Sequence, residues 1–363
     1  MTRRVVLAPD SFKGTATAAD AAAALARGWR SVAPDDELVE KPMADGGEGT
    51  LDAFAASVPG ADRVPVRVQG PDDRPVDAAW LRLPDGSAVV ELAMTSGITL
   101  LDPLRPLEAH TLGFGQAIAA ALDGGATRLL LALGGSASTD GGIGALAALG
   151  GVFLDGQRRP VRLGNRGVGA LARVDLSRLR PLPPDGALIL SDVSNPLLGP
   201  FGAAAIFGPQ KGATPELVEA MDENLARLVR AVPGGDALCE SAGAGAAGGT
   251  GFGLLAWGAT MAGGSGAVAD AIGLSEAIRG AALVVTGEGR FDGQSAAGKA
   301  PSEVAARAAA WGVPVALVAG AIEADASGFA ASASLTDLAG DGAAAMADPL
   351  RWLEAAGAQL AGA

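Results

Sequence analysis

Short apolar runs alternate along this chain with stretches whose apolar positions recur at helical spacing, and polar, glycine-containing loops divide them. Residues 5–8 make a continuous apolar run of strand length, followed by Pro9-Asp10-Ser11-Phe12-Lys13-Gly14. The stretch Thr17-Ala18-Ala19-Asp20 has the form of a helix cap and opens an alanine-rich helix predicted to about Val32. Residues 38–42 read as a second strand, Ala44-Asp45-Gly46-Gly47-Glu48-Gly49 as its loop, and Thr50 as the cap of the next helix. From Arg63 the texture changes. Residues 64–68, 79–83 and 88–92 alternate apolar with polar and are divided by Gly, Pro and Asp, which predicts antiparallel strands.

A helix over 112–122 ends at Gly124, and an apolar strand over 128–133 runs into Gly134-Gly135-Ser136-Ala137-Ser138-Thr139-Asp140-Gly141-Gly142. A strand over 187–190 leads to Ser191-Asp192-Val193-Ser194-Asn195-Pro196, and Thr214-Pro215-Glu216 starts a helix with proline at its first position. Residues 243–253 read as a glycine-dense loop feeding a buried helix. A strand over 281–285 ends in Thr286-Gly287-Glu288-Gly289-Arg290-Phe291-Asp292; a helix from about Pro301, a strand over 315–319 and a helix over 349–360 close the pattern. The recurring order of strand, polar loop and helix predicts the α/β class.

The 363 residues suffice for two domains, and the half that is apolar contains no run of 18 such residues. The opening Met1-Thr2-Arg3-Arg4, with only four apolar residues before Pro9, reads as a first strand and not as a secretory leader. A net charge of -13 argues against nucleic acid or an anionic membrane as partner. Single Cys239 excludes an internal disulfide framework and fits a reducing, cytoplasmic setting. The one histidine, His110, just ahead of a helix, reads as a cap-region or surface residue more readily than as a base, and a single histidine excludes a His-rich zinc site. Lysine occurs only at 13, 41, 211 and 299, whereas 23 positions carry arginine. Where arginine is so preferred, the remaining lysines mark places that need a compact ammonium.

Strands that deliver Gly with Asp, Glu, Ser or Lys at their ends suit anionic ligands. Such ligands bind at the carboxyl ends of parallel strands, where glycine lets backbone amides approach a phosphate. The stretch 134–142 is the best cradle of this kind. Two familiar motifs nearly appear. Gly243-x-Gly245-x-x-Gly248 has dinucleotide spacing but no clear strand before it, and Gly293-x-x-x-x-Gly298-Lys299 is followed by Ala300 where a P-loop needs Ser or Thr. Among the acids, Asp45, Glu48, Asp140, Asp192, Glu288 and Asp292 are candidates for holding magnesium or activating a hydroxyl.

Taken in order, these loops resemble the bacterial glycerate kinase family, the class without a P-loop. The stretches that carry the resemblance are 8–14, 43–50, 134–142, 191–197, Phe207-Gly208-Pro209-Gln210-Lys211-Gly212-Ala213, 243–249 and 286–299. The resemblance implies two α/β domains with the active site in the cleft between them. One is flavodoxin- or Rossmann-like with a parallel sheet, made from 1–62 plus 278–363, and the other is a mixed-sheet insertion over 63–277. It implies transfer of the ATP γ-phosphoryl group to (R)-glycerate with Mg2+, giving 2-phosphoglycerate, with 3-phosphoglycerate as the alternative product. Asp192, Asp45 and Lys13 are then the expected catalytic residues. Asp10, Ser11, Gly46, Gly47, Glu48, Gly134, Gly135, Ser136, Asn195, Lys211, Gly287, Glu288, Arg290 and Lys299 are expected to bind substrate or phosphate, and Asp45, Glu48 and Asp292 the metal. The expected partners are ATP and glycerate, with a homodimer left open. The alternatives are a kinase for another small hydroxy acid and an NAD-dependent hydroxy-acid oxidoreductase.

Overall fold

A computed structural model describes residues 2–293 and 300–362. Its strands in chain order are β1 (Arg4–Pro9), β2 (Glu37–Glu40), β3 (Asp62–Gln69), β4 (Pro75–Arg82), β5 (Ser87–Glu91), β6 (Arg128–Ala132) and β7 (Val152–Asp155). They continue with β8 (Leu171–Asp175), β9 (Ala187–Leu190), β10 (Thr260–Ala262), β11 (Leu283–Phe291), β12 (Val315–Ile322) and β13 (Ala331–Ser334). Two compact units result. The first comprises 1–45, 52–59 and 264–363, the second 46–51 and 60–263. The change of texture thus falls close to the crossing at Gly60. The return comes at Gly264, ahead of 278, because the helices Gly264–Ala271 and Leu274–Ile278 pack with the helix Ala300–Ala310 of the first unit.

In the first unit every strand pairing is parallel, in the order β2-β1-β11-β12-β13. Renumbered within the unit this is 2-1-3-4-5, the flavodoxin order. Strands buried on both faces read as continuous apolar runs, which is why 5–8 and 315–319 were legible. The helix Ala18–Val32 begins at Thr17, whose hydroxyl accepts the Asp20 amide at 3.0 Å. It lies flush against the helix Pro349–Ala361. A Cβ at Gly28 would sit 1.8 Å from the Glu354 carbonyl oxygen, and one at Gly357 2.3 Å from that of Leu25. Leu25, Trp29, Leu353 and Leu360 fill the core between these helices and the sheet.

Strand β11 corrects the sequence reading. It runs through Phe291, so 286–291 is strand and not loop, and Gly287 is a paired strand residue opposite Val318. Gly287 stands here because the neighbouring backbone is too close for a side chain: a Cβ would meet the Val318 oxygen at 2.1 Å.

The second unit holds a mixed sheet, β10-β9-β6-β5-β4-β3, and a two-stranded β7-β8 ribbon. Strands β3, β4 and β5 are antiparallel, as the alternation predicts. Strand β5 is buried along its whole length because it also pairs in parallel with β6. The ribbon was not foreseen; its register shift between Leu154 and Asp155 breaks the alternation that would reveal it. No described helix is long and apolar enough to cross a membrane.

Candidate active site

In the first unit the carboxyl ends of β1 and β11 open into a pocket of about 390 Å³. These two strands meet at the topological switch point, where open α/β sheets bind ligands. Asp10, Ser11, Lys13, Asp45, Glu288, Arg290 and Asp292 line the charged end. Seven of the expected site residues are therefore gathered in one cavity. Asp10 extends the ladder, its amide donating to Gly287 O at 2.8 Å, and its carboxylate accepts the Ser11 amide at 2.6 Å. Burial, then the charges of Asp45 and Glu288, push its pKa up to about 7 against the opposing pull of Ser11 and Lys13. The Lys13 ammonium stands 3.6 Å from Asp45 and is largely exposed, able to reach a ligand. Arg290 pairs with Glu323 at 3.6 Å at the surface.

Among the described residues no group of three or more His, Cys, Asp and Glu side chains is set to hold a metal. Magnesium needs only one or two carboxylates and keeps several waters, however. Asp10 and Asp45 are hard oxygen donors in one pocket, close enough for the charge of Asp45 to raise the pKa of Asp10, so a divalent cation fits this end. Lys299 lies outside the described residues.

Gly287 lies within β11 of the first unit; Gly134, Gly135, Ser136, Asp192 and Asn195 follow β6 and β9 in the second unit, which also holds Gly46, Gly47, Glu48 and Lys211. The loop after β6 is pinned from several sides. Gly135 O accepts from Ile98 N at 2.8 Å, Ala137 N donates to Ser96 O at 3.0 Å, and Asn165 Nδ2 donates to Thr139 O at 2.8 Å. No protein acceptor takes the amides of Gly134, Gly135 or Ser136 among the described residues. Gly134 packs on Gly47, where a Cβ would lie 2.1 Å from the Gly47 Cα, so the two glycine loops touch backbone to backbone. Gly46 has φ +85°, a left-handed value that a side chain would strain. Glu48 follows it in the same short segment.

Lys211 is buried at 2 % exposure, its ammonium donating to Ser136 Oγ at 2.8 Å and Ser138 O at 2.5 Å. Burial lowers its pKa to about 7, only partly countered by Asp140. It is bonded inside the fold and not presented to solvent. Asn195 likewise turns into its own loop, donating to Phe201 O at 2.8 Å. Asp192 is exposed at the end of β9.

Asp140, read from sequence as a candidate acid, is fully buried and serves the backbone. Its carboxylate accepts from Thr111 N, Thr111 Oγ1, Gly142 N and Gly144 N at 2.8–3.2 Å. His110 is a buried cap residue: Nδ1 accepts the Leu112 amide at 3.3 Å, which leaves the proton on Nε2, 3.2 Å from Asp73 Oδ1. Gly243-x-Gly245-x-x-Gly248 follows the helix Gly235–Cys239, not a strand, so the dinucleotide reading has no support.

A model of the Glycerate kinase family matches residues 5–363. The chain belongs to the glycerate kinase family. It is 41 % identical over 332 residues to glycerate kinase of Bacillus subtilis strain 168, covering 89 % of this chain and 86 % of that one. It is 39 % identical to the Escherichia coli K12 glycerate 2-kinase over 89 % of this chain and 86 % of the relative. A crystal structure from Salmonella typhimurium LT2, assigned as a candidate glycerate kinase 2, matches with TM-score 0.86 at 36 % identity, covering 100 % and 98 % of the two chains.

Two features of this candidate site were missed in the sequence. Glu91, the acid closing the apolar run of β5, is buried and accepts the amides of Gly49 and Leu51 at 3.1 and 2.9 Å, fixing the glycine loop over 46–49. A lone carboxylate inside an apolar strand was the available signal. The apolar pocket wall, with Leu335, Ala345, Met346 and Pro349, had none, since it lies in an alanine-rich stretch without a motif.

Proposed function

We propose that this chain transfers the γ-phosphoryl group of ATP to (R)-glycerate, with Mg2+, and forms 2-phosphoglycerate. The observation that carries the reading is the family match over residues 5–363, with a glycerate 2-kinase among the relatives. In the reaction a glycerate hydroxyl oxygen bonds to the γ-phosphorus. The bond from that phosphorus to the bridging oxygen breaks, ADP leaves, and the hydroxyl proton passes to a base. Asp192 is our assignment for the base, since it is an exposed carboxylate at a strand end beside the pinned glycine loop.

Asp45 with Asp10 would hold the magnesium ion, with Asp292 as a further carboxylate. When bound, the ion neutralises charge on the phosphates. Lys13 and Arg290 supply positive charge to phosphoryl or carboxylate oxygens, and the amides of Gly134, Gly135 and Ser136 donate to another anionic oxygen. Lys211 acts through that loop as a positioning residue. On this reading the partners are ATP and glycerate, and the setting is cytoplasmic, in keeping with one unpaired cysteine.

The test is ADP release by the purified protein with ATP, MgCl2 and (R)-glycerate, with and without the acceptor. Acceptor-dependent release is expected, and its absence would sink the reading. Asp192→Asn is expected to lower kcat by about 10²-fold or more. Turnover within a few-fold of the wild type would remove Asp192 from the role of base.

A further inference from the structure

The pocket of the first unit has two ends of different character. One is the charged end described above. The other is built by Leu335, Ala345, Met346 and Pro349, with Thr336 and Gly342 beside them. Met346 stands 64 % exposed at this wall, and a free thioether has no reason to border a carboxylate site that serves only charged ligands. Size decides further. Glycerate has seven heavy atoms and no apolar face, so it would leave most of a 390 Å³ cavity unfilled and the exposed Met346, which stands over buried Leu335 and Ala345, uncovered. A nucleoside with its phosphates matches both ends.

Charge points the same way. Asp10, Asp45, Glu288 and Asp292 outnumber Lys13 and Arg290 at the charged end, so a bare polyphosphate is disfavoured there and a magnesium-bound one is not. The position at the switch point between β1 and β11 is where a flavodoxin-ordered sheet takes a nucleotide.

We propose that the first unit is the nucleotide-binding half of this kinase, and that its apolar wall of Leu335, Ala345, Met346 and Pro349 receives the base of ATP. The inference rests on the kinase reading but is tested apart from it.

Two substitutions change the wall without adding charge. Met346→Gln replaces an exposed thioether with a polar side chain of similar length. Gly342→Leu adds bulk where a Cβ meets only Thr336 Oγ1, at 3.8 Å, so the backbone need not move. The dissociation constant of MgADP is measured by calorimetry on the full chain, beside that of magnesium tripolyphosphate, which has the phosphates but no base. Both variants are expected to bind MgADP about tenfold or more weakly, with tripolyphosphate within about twofold of wild type. Undiminished MgADP binding by both variants would overturn the proposal. So would equal weakening of the two ligands, or a rise in the KM of glycerate with that of ATP unchanged. Because binding is read directly, wild-type protein that binds MgADP but fails to phosphorylate glycerate would defeat the reaction reading and leave the nucleotide site standing.

Discussion

Two of the three lysines among the described residues are turned inward. Lys211 holds Ser136 and Ser138, and Lys41 donates to Ser57 O at 3.2 Å and Ile272 O at 2.7 Å, tying the end of the helix Thr50–Ser57 to residue 272. A compact ammonium with three donors fits such carbonyl and hydroxyl sets, where a planar guanidinium does not. The scarcity of lysine was therefore informative, but it marked structural sites as readily as ligand sites. Lys211 gives a prediction about pH. Its folded pKa, about 7, lies below the ordinary 10.5, so between those values the unfolded chain binds the extra proton and stability rises with pH. The slope from this one group is about 1.4 kcal/mol per pH unit. The chain has no tyrosine, so few groups obscure that window. Urea denaturation at pH 7.5 and 9.5 should show the rise in wild type and its loss in Lys211→Met; equal slopes would refute a folded-state pKa below the ordinary value. Asp10 makes the opposite case. With its pKa raised to about 7, protons compete with the cation, so the Mg2+ concentration for half-maximal rate should fall as pH goes from 6 to 8. Asp10→Asn should abolish that dependence, and an unchanged pH profile in the variant would exclude Asp10 from the metal site.

The close contact of the helices Ala18–Val32 and Pro349–Ala361 depends on glycine. Gly28→Ala would gain about 1 kcal/mol in helix propensity. The added Cβ must displace backbone at Glu354, an overpacking cost of typically 1–3 kcal/mol, so net destabilisation is expected. A higher urea midpoint for Gly28→Ala would contradict the packing described. Elements of this kind were legible to different degrees. The caps at Thr17 and Thr214 and the apolar runs of β1, β6 and β12 could be read because local chemistry alone specifies them. The extension of β11 through Phe291 could not, since Gly287, Glu288 and Gly289 look like a loop until β12 is beside them. Nor could the burial of β5, which comes from its second neighbour and not from its own pattern. The site divides in the same way. Asp10, Lys13, Asp45 and Glu288 were legible as polar residues at strand ends. Asp140 and Glu91 exchanged places as candidates: the first is spent on four donors, and the second, a carboxylate in an apolar strand, fixes a glycine loop.

At the scale of the whole chain, topology explains why residues so distant in sequence serve one pocket. Strand β1 and strand β11 are separated by nearly the whole second unit, yet pair in register from Val5 with Leu283 to Pro9 with Gly287. The loop at 10–13 and the strand end at 288–292 therefore share one mouth, and no local pattern carries that information. The order of the polar loops along the chain does carry it, because a series of seven in sequence specifies a family where any one of them does not. The central claim is that this family member phosphorylates the 2-hydroxyl of glycerate. The most direct test supplies ATP, MgCl2 and (R)-glycerate and couples the product to enolase, with and without phosphoglycerate mutase. The account predicts a prompt signal without mutase, as 2-phosphoglycerate feeds enolase directly. A signal that appears only when mutase is added, or no signal under either condition, would contradict it.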